Sequence, residues 1–331
     1  MRIFAWEAQR KRTRETPHRT PKDMKNPIRT ILLVLCGLAI LTSLNLVLAQ
    51  DTKPVASARP VINAGLPVVS PDGRHIAFVS DRAGANDLFV ISADGTGEVQ
   101  LTHTPEYESP AGWTRDGRHV LFSVFTNGLS TLYAIGPGGS DLREVGRFSG
   151  RGPMPSANGK RVVYMAGTWT ATRLMVSSMD GSKSHQITDG SSIAWNTHWS
   201  PDGKRLAFTG RTNPASELAI FVLNADGSRL RQITRIAPAE GGAQWPVWSP
   251  DGKQLAVQVN NRSSKNSAHI WIADVATGEA RKLGVHDKAY LDETPSWFPD
   301  GKRIAFQSDR TGRMEIWIMN VDGSGQSQVT R

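Results

Sequence analysis

The sequence predicts an all-β fold: a six-bladed β-propeller of four-stranded antiparallel blades, following an N-terminal signal or anchor segment. Three observations carry that expectation. One ten-residue phrase recurs six times at a nearly even interval. After each recurrence come further β-prone runs separated by turn dipeptides. No helical periodicity competes anywhere after residue 60.

The first element is the leader, residues 1–49. Ile31 to Leu41 is an unbroken apolar block preceded by Lys25 and Arg29 and followed by Val47-Leu48-Ala49. A charged region, a short apolar region and small residues at the end form the layout of a secretory signal, with cleavage expected after Ala49. The alternative is an uncleaved anchor over residues 31–49, close to the minimum of about 18 residues for a span. Thr42, Ser43 and Asn45 interrupt that segment. With the basic residues on its N-terminal side, either reading exports the body of the chain. Met24 opens a signal of ordinary length, so both Met1 and Met24 fit as starts. Leu35 before Cys36 argues against a lipid-modified cysteine. Residues 50–60 read as a polar linker, and residues 61–331 as the propeller.

Within the propeller the phrase WSPDGKRLAF at 199–208 returns as WSPDGKQLAV at 248–257 and WFPDGKRIAF at 297–306. Earlier copies are VSPDGRHIAF at 69–78, WTRDGRHVLF at 113–122 and the most degraded, PSANGKRVVY at 155–164. The residue before each turn glycine is Asp72, Asp116, Asn158, Asp202, Asp251 or Asp300, at intervals of 44, 42, 44, 49 and 49. A first strand ends near the Trp. Ser-Pro-Asp-Gly then turns the chain: Pro presets φ, Asp bonds locally and Gly supplies positive φ. A second strand such as RLAFTG follows. The third is strongly β-prone (DLFVI, TLYAI, RLMVS, AIFVL, HIWIA, EIWIM), and a second Asp-Gly hairpin leads to a short fourth, such as HQIT or RQIT. A lone four-stranded sheet cannot bury both faces, whereas six stacked radially bury them on one another. Val69 and Pro155 stand where other copies have Trp, which makes blade three the least well specified.

These words resemble the propeller repeat of the TolB family, from about residue 61 to the end. The Gly-His and Trp-Asp words of WD-repeat propellers are missing. The resemblance implies the propeller only: residues 50–60 leave no room for the α/β domain that precedes it in TolB, so the envelope role of that family is not carried over directly.

Composition narrows the function. The formal net charge is +9, but nine Lys/Arg against three acids in residues 1–49 account for most of it. A nearly neutral body has no broad field for polyanions, so nucleic acid is not an expected partner. The single cysteine, Cys36, lies in the leader, so the body has neither a disulfide nor a thiolate metal site.

Candidate site residues come from the variable inter-blade crossings, since binding residues favour variable loops on a rigid scaffold. Glu106, Tyr107 and Glu108 precede Trp113; Trp195, Asn196 and His198 precede Trp199; Gln244 and Trp245 precede Trp248; Tyr290, Asp292 and Glu293 precede Trp297. Innermost strands line the channel, so Glu108, Tyr107, Trp195, Asn196, His198, Gln244, Trp245, Asp292 and Glu293 are expected around its mouth. Carboxylates converging with a His suit a hard cation or the basic and amide groups of a peptide. The competing reading makes these residues caps and wedges of the scaffold. Trp113, Trp199, Trp248 and Trp297 share one repeat position and read as inter-blade core, as do Trp271 and Trp317. Trp169, Trp195 and Trp245 read as loop aromatics suited to contact. The turn Asp residues read as turn chemistry, and His75 and His119 as solvated. Ser80-Asp81-Arg82 and Ser308-Asp309-Arg310 read as strand-end hydrogen bonds and ion pairs.

Two functions remain open. The preferred one is a binding or scaffold protein of the cell envelope, periplasmic or otherwise exported, that recognises protein or peptide. It needs no cofactor and touches the membrane only through an uncleaved leader. The alternative is a small-molecule, carbohydrate or metal site at the channel mouth, including a lyase-like enzyme, for which His198, with His103 and His286 further out, is a thin ligand set. A hydrolase triad is not expected, because the nucleophile elbow G-x-S-x-G does not occur.

Overall fold

The computed structural model describes residues 64–331 except 85, 169–170, 191–193, 212, 214–215, 238–239, 261–266 and 285–289. The leader, the Ala49 cleavage point, the linker, Trp169 and His286 lie outside the described residues. The chain divides into Met1–Arg59 and Pro60–Arg331, and the second unit is the propeller. Among the described residues no helix is long and apolar enough to cross a membrane.

Twenty-four strands form six antiparallel sheets of four. Blade one holds β1 (Ala64–Val69), β2 (His75–Ser80), β3 (Asp87–Ser92) and β4 (Val99–Gln100). Blade two holds β5 (Glu108–Trp113), β6 (Val120–Thr126), β7 (Leu129–Ile135) and β8 (Arg143–Phe148). Blade three holds β9 (Arg151–Pro155), β10 (Arg161–Thr168), β11 (Ala171–Ser178) and β12 (His185–Gln186). Blade four holds β13 (Ala194–Trp199), β14 (Arg205–Gly210), β15 (Ala219–Asn224) and β16 (Arg231–Gln232). Blade five holds β17 (Ala243–Trp248), β18 (Gln254–Asn260), β19 (Ala268–Asp274) and β20 (Ala280–Lys282). Blade six holds β21 (Asp292–Trp297), β22 (Arg303–Ser308), β23 (Glu315–Asn320) and β24 (Ser327–Gln328). The six first strands touch one another in sequence around the axis, β21 meeting β1 to complete the ring.

The repeated words are explained by local hydrogen bonds. In the first turn Ser70 Oγ donates to Asp72 Oδ1 at 2.6 Å, and the Arg74 amide donates to the same oxygen at 3.0 Å. Thr114 with Asp116, Ser156 with Asn158, Ser200 with Asp202 and Ser249 with Asp251 repeat it. The Gln-x-Thr ending of the fourth strand is equally mechanical. Thr102, Thr188, Thr234 and Thr330 each accept, through Oγ1, the first free amide of the adjacent third strand, at 2.8–2.9 Å. Gln100, Gln186, Gln232 and Gln328 close the loop by donating to the carbonyl of that same Thr.

The core consists of six apolar clusters, one in each seam between blades. The repeat Trp staples its seam by donating to a first-strand carbonyl of the preceding blade. Trp113 reaches Val68 O, Trp199 Met154 O, Trp248 His198 O and Trp297 Val247 O, at 2.9–3.3 Å. Arg161 lies over Trp199 and Arg205 over Trp248, a cation–π contact on the same indoles. His75 takes the equivalent place against Trp113, with ring centroids 6.4 Å apart, and His119 pairs with Asp141 at 2.7 Å. Both are therefore half-buried scaffold contacts rather than the solvated side chains their sequence position suggested.

Two seams lack the Trp. Between blades two and three, where Pro155 stands, the Phe148 and Tyr164 rings pack with centroids 5.4 Å apart, and the backbones approach closely, as they also do at Gly227 and Gly323 in seams that have the Trp. A Cβ on Gly146 would lie 2.3 Å from Met179 O, and one on Gly181 2.1 Å from Arg147 O. Between blades six and one, where Val69 stands, fully buried Phe298 fills the cluster with Phe78 and Phe89.

Candidate functional site

Each first strand departs from regular pairing at its midpoint. In blades one, three, four, five and six, two residues on the first strand stand opposite one on the second. The first residue of each bulge has positive φ: Leu66 (53°), Gly152 (57°), Asn196 (49°), Trp245 (51°) and Thr294 (49°). For a Leu, a Trp and a β-branched Thr this is a strained conformation. Blade two has Pro110 at the same point, whose ring forbids positive φ, and there the irregularity moves to Gly112 (138°). The bulge amides are met from the preceding blade. Gln307 Oε1 accepts Leu66 N at 3.0 Å, Thr209 Oγ1 accepts Trp245 N at 3.2 Å and Gln258 Oε1 accepts Thr294 N at 3.4 Å.

These bulges surround an axial chamber of about 210 Å³ to which all six blades contribute. Its wall is mainly apolar, with Leu66, Pro110, Met154, Met165 and Val247 among its residues. Three of the residues expected at the channel line it: Asn196, His198 and Trp245. The other six do not. Trp195 and Trp245 both sit on first strands, β13 and β17, and not on loops as their sequence context suggested. Trp195 is half-buried beside the chamber with Nε1 unbonded. Gln244 is half-buried on β17, and Tyr107 stands on the crossing between blades one and two, 61% exposed.

The carboxylates are engaged elsewhere. Glu108 is fully buried and accepts from Thr102 Oγ1, from Thr104 Oγ1 at 2.9 Å and from Leu88 N at 3.1 Å. It thereby ties the crossing to blade one, and burial pushes its carboxyl up. Asp292 accepts Ser308 Oγ and an Arg310 guanidinium nitrogen, each at 2.7 Å. Arg310 is itself packed against the Trp317 ring at 4.6 Å, which bears out the strand-end role of Ser308-Asp309-Arg310. Glu293 lies between Gln258 Nε2 and Gln307 Nε2, each 3.0 Å away, and burial raises its carboxyl too. Among the described residues no three His, Cys, Asp or Glu come together in a metal-binding group.

What remains for chemistry is a set of neutral polar groups. His198 has its open face on the chamber, and desolvation drops its pKa to about 4, so the imidazole is uncharged at neutral pH. Thr197 and Thr294, 3% and 7% exposed, also line the chamber, but their hydroxyls are buried away from it and have no hydrogen-bond partner. Neither Thr was legible as a site residue from its own type. The recurrent proline was the available signal: Pro67, Pro153, Pro246 and Pro295 follow the bulge residue in four blades. Proline within a buried strand marks a bulge.

Comparison with known proteins agrees with this architecture. Residues 161–331, just over half of the chain, match the TolB beta propeller domain family. A TolB homolog of Chlorobium luteolum is 26% identical over 163 residues, 48% of this chain and 36% of that protein. Dipeptidyl-peptidase 5 of Porphyromonas endodontalis is 29% identical over 106 residues, 30% of this chain and 15% of that protein. The chain thus spans well under two thirds of either relative. TolB from Acinetobacter baumannii superposes with a TM-score of 0.60 at 18% identity, covering 80% of this chain and 62% of that one. The repeat, the ring of six blades and the family match lead to one assignment: the chain belongs to the TolB β-propeller family.

Proposed function

We propose that this protein is an exported scaffold of the cell envelope that binds a protein or peptide partner across the crossing face, around the mouth of the channel. The observation that carries the reading is the contrast between engaged and unengaged groups. Turn Asp residues, repeat Trp residues and the carboxylates of Glu108 and Asp292 are all committed to the scaffold. Exposed Tyr107 and the side chains of Trp195 and Gln244 are not. Uncommitted aromatic and amide side chains on a rigid support suit protein contact, where a few such anchors supply most of the affinity. The leader supports export, and the resemblance to TolB supports an envelope setting.

The test is a photoreactive residue placed at Gln244 or Tyr107, with the protein used to capture a partner from envelope extract. The expected result is one protein cross-linked from both positions, with retention lost in a Tyr107→Ala/Trp195→Ala variant. A partner that cross-links only from the outer strands β4 or β12 would sink the reading.

A further inference from the structure

We infer that Glu293 anchors a primary ammonium group at the channel mouth, and that the apolar body carrying that ammonium descends into the axial chamber. This goes beyond the partner proposed for the mouth, which it neither requires nor excludes.

Glu293 stands apart from its counterparts in the other blades. The same register place on the six first strands is held by Gly65, Ser109, Arg151, Trp195, Gln244 and Glu293. Blades that repeat one turn and one kind of third strand carry six different residues here, so the scaffold does not dictate the side chain. Its bonds agree. Glu108 holds a backbone amide of the preceding blade, whereas Glu293 accepts only from side chains: Gln258 Nε2 on Oε1 and Gln307 Nε2 on Oε2, each at 3.0 Å. Those glutamines cannot turn round. Gln258 Oε1 faces Thr294 N and Gln307 Oε1 faces Leu66 N. A backbone N–H only donates, so each Nε2 is fixed toward the carboxylate. Blade one leaves the room for this arrangement, since a Cβ on Gly65 would lie 2.6 Å from Gln307 Oε1.

Among the described residues no cation answers the Glu293 charge. Arg310 is spent on Asp292, and Arg151, the cation of this layer, stands three blades away with the Phe125 ring at 4.8 Å. Burial, with Asp309 and Asp292 nearby, raises the carboxyl, as expected of a negative charge among negative neighbours. The strand β21 is innermost, with blades five and one packed on either side, so the accessible part of half-buried Glu293 opens on the channel. The next residue, Thr294, lines the chamber, as does Leu66, whose amide Gln307 holds. First strands run from the crossing face toward the Asp-Gly turns, which places the carboxylate on the mouth side of the chamber.

These positions fix the chemistry of the ligand. A divalent cation takes about six oxygen ligands, and here the glutamine oxygens are turned away to backbone amides. A guanidinium fork needs both carboxylate oxygens, each of which already accepts an amide N–H. A compact ammonium needs only one remaining lone pair. Below it, the chamber of about 210 Å³ has no Asp, Glu, Lys or Arg in its mainly apolar wall. An apolar cavity of about 150 Å³ already holds benzene, so an aromatic body fits. Met154, Met165 and Trp245 offer it thioether and indole contacts.

The experiment measures binding of tryptamine to the full-length protein by calorimetry at neutral pH. Tryptophol serves as its uncharged counterpart and indole-3-acetate as its anionic one. Tryptamine is expected to bind saturably at one site, at least about tenfold more tightly than tryptophol, with indole-3-acetate weakest. Glu293→Gln should weaken tryptamine about ten- to a hundredfold and leave tryptophol within about twofold, a difference that a collapsed chamber would not give. Val247→Phe, which fills the chamber, should weaken both probes together. If Glu293→Gln does not fold, Glu293→Asp, which withdraws the charge by one methylene, replaces it with the same selectivity expected. A tryptophanyl dipeptide amide with a free N-terminus and an acetylated lysine amide are then tested as competitors of tryptamine. Competition by the first traces the ammonium to a main chain and by the second to a side chain; competition by neither assigns the site to free amines. Absence of saturable tryptamine binding, equal affinity for tryptophol, or unchanged tryptamine affinity in the Glu293 variant would each overturn the inference. Partner capture from Tyr107 and Gln244 reads neither Glu293 nor the chamber, so the two tests fail independently.

Discussion

Asp251 and His198 mark the two ways this chain handles an ionisable side chain. Asp251 sits at a turn where Ser249 Oγ and the Lys253 amide both donate to it, and these bonds hold its carboxyl below the usual range. Its role was legible in the sequence because turn chemistry is local. Glu108 was less so: it was placed with the mouth residues, yet its partners Leu88, Thr102 and Thr104 come from the preceding blade and the crossing. His198 is set by burial, and that gives a pH prediction. Below pH 6.5 the unfolded chain takes up a proton that the folded imidazole refuses until about pH 4. The His198 contribution is therefore fully present above pH 6.5 and is lost as pH falls toward 4. Urea unfolding at pH 7 and pH 5 should show wild type losing about 2 kcal/mol more than His198→Asn over that interval. Glu108 and Glu293 titrate alike in both proteins and cancel. Parallel losses would mean that the ring is solvated, with an ordinary pKa.

At the level of the strand, the regular features were readable and the irregular ones were not. Turns, third strands and the Trp position follow from periodicity and turn dipeptides, and all are where those signals placed them. The bulges are set by something else: whether the residue at the third place of the first strand can hold positive φ. Pro110 cannot, and its blade alone shifts the irregularity along the strand. Thr294 can, at a cost. It is β-branched, at φ 49°, with an unbonded buried hydroxyl. Thr294→Gly should relieve both and raise unfolding stability by up to about 1 kcal/mol, the backbone relief being offset in part by glycine's greater freedom when unfolded. A fall in stability would show that the Thr294 methyl packs well enough to outweigh the strain. Strain retained at four non-glycine bulge residues, all lining one chamber, is what makes that trade worth measuring.

For the molecule as a whole, the decisive fact is that every blade is contiguous in sequence. Blade one is β1–β4 and blade six is β21–β24, so among the described residues no strand from one end of the chain completes the other's sheet. The ring closes through side chains and a few backbone bonds: Ala64 N to Met314 O at 2.8 Å, Leu66 N to Gln307 and Val69 N to Ser296 Oγ at 3.1 Å. Two departures in the repeat, Val69 for Trp and Phe298 for Ser, lie at opposite ends of the propeller sequence. In space they are one adjustment, because buried Phe298 fills the seam that Val69 leaves without an indole. That coupling spans the whole chain and could not be read from any window of it. A matched pair of amides tests its consequence. Ala243 N donates to Leu218 O at 2.9 Å across the seam of blades four and five, in the same place that Ala64 N occupies at the closing seam. The first seam also has Trp248 bonded to His198 O with Arg205 over its ring; the closing seam has no indole bond, and Arg303 lies over Phe298 instead. Native-state hydrogen exchange should therefore find Ala64 opening at least about fivefold more readily than Ala243, the equivalent of one lost hydrogen bond. Equal protection would mean that the Phe298 cluster seals the closing seam as firmly as the indole staples seal the others. The ring would then open first between blades two and three, where Pro155 leaves the Phe148–Tyr164 cluster without an indole staple.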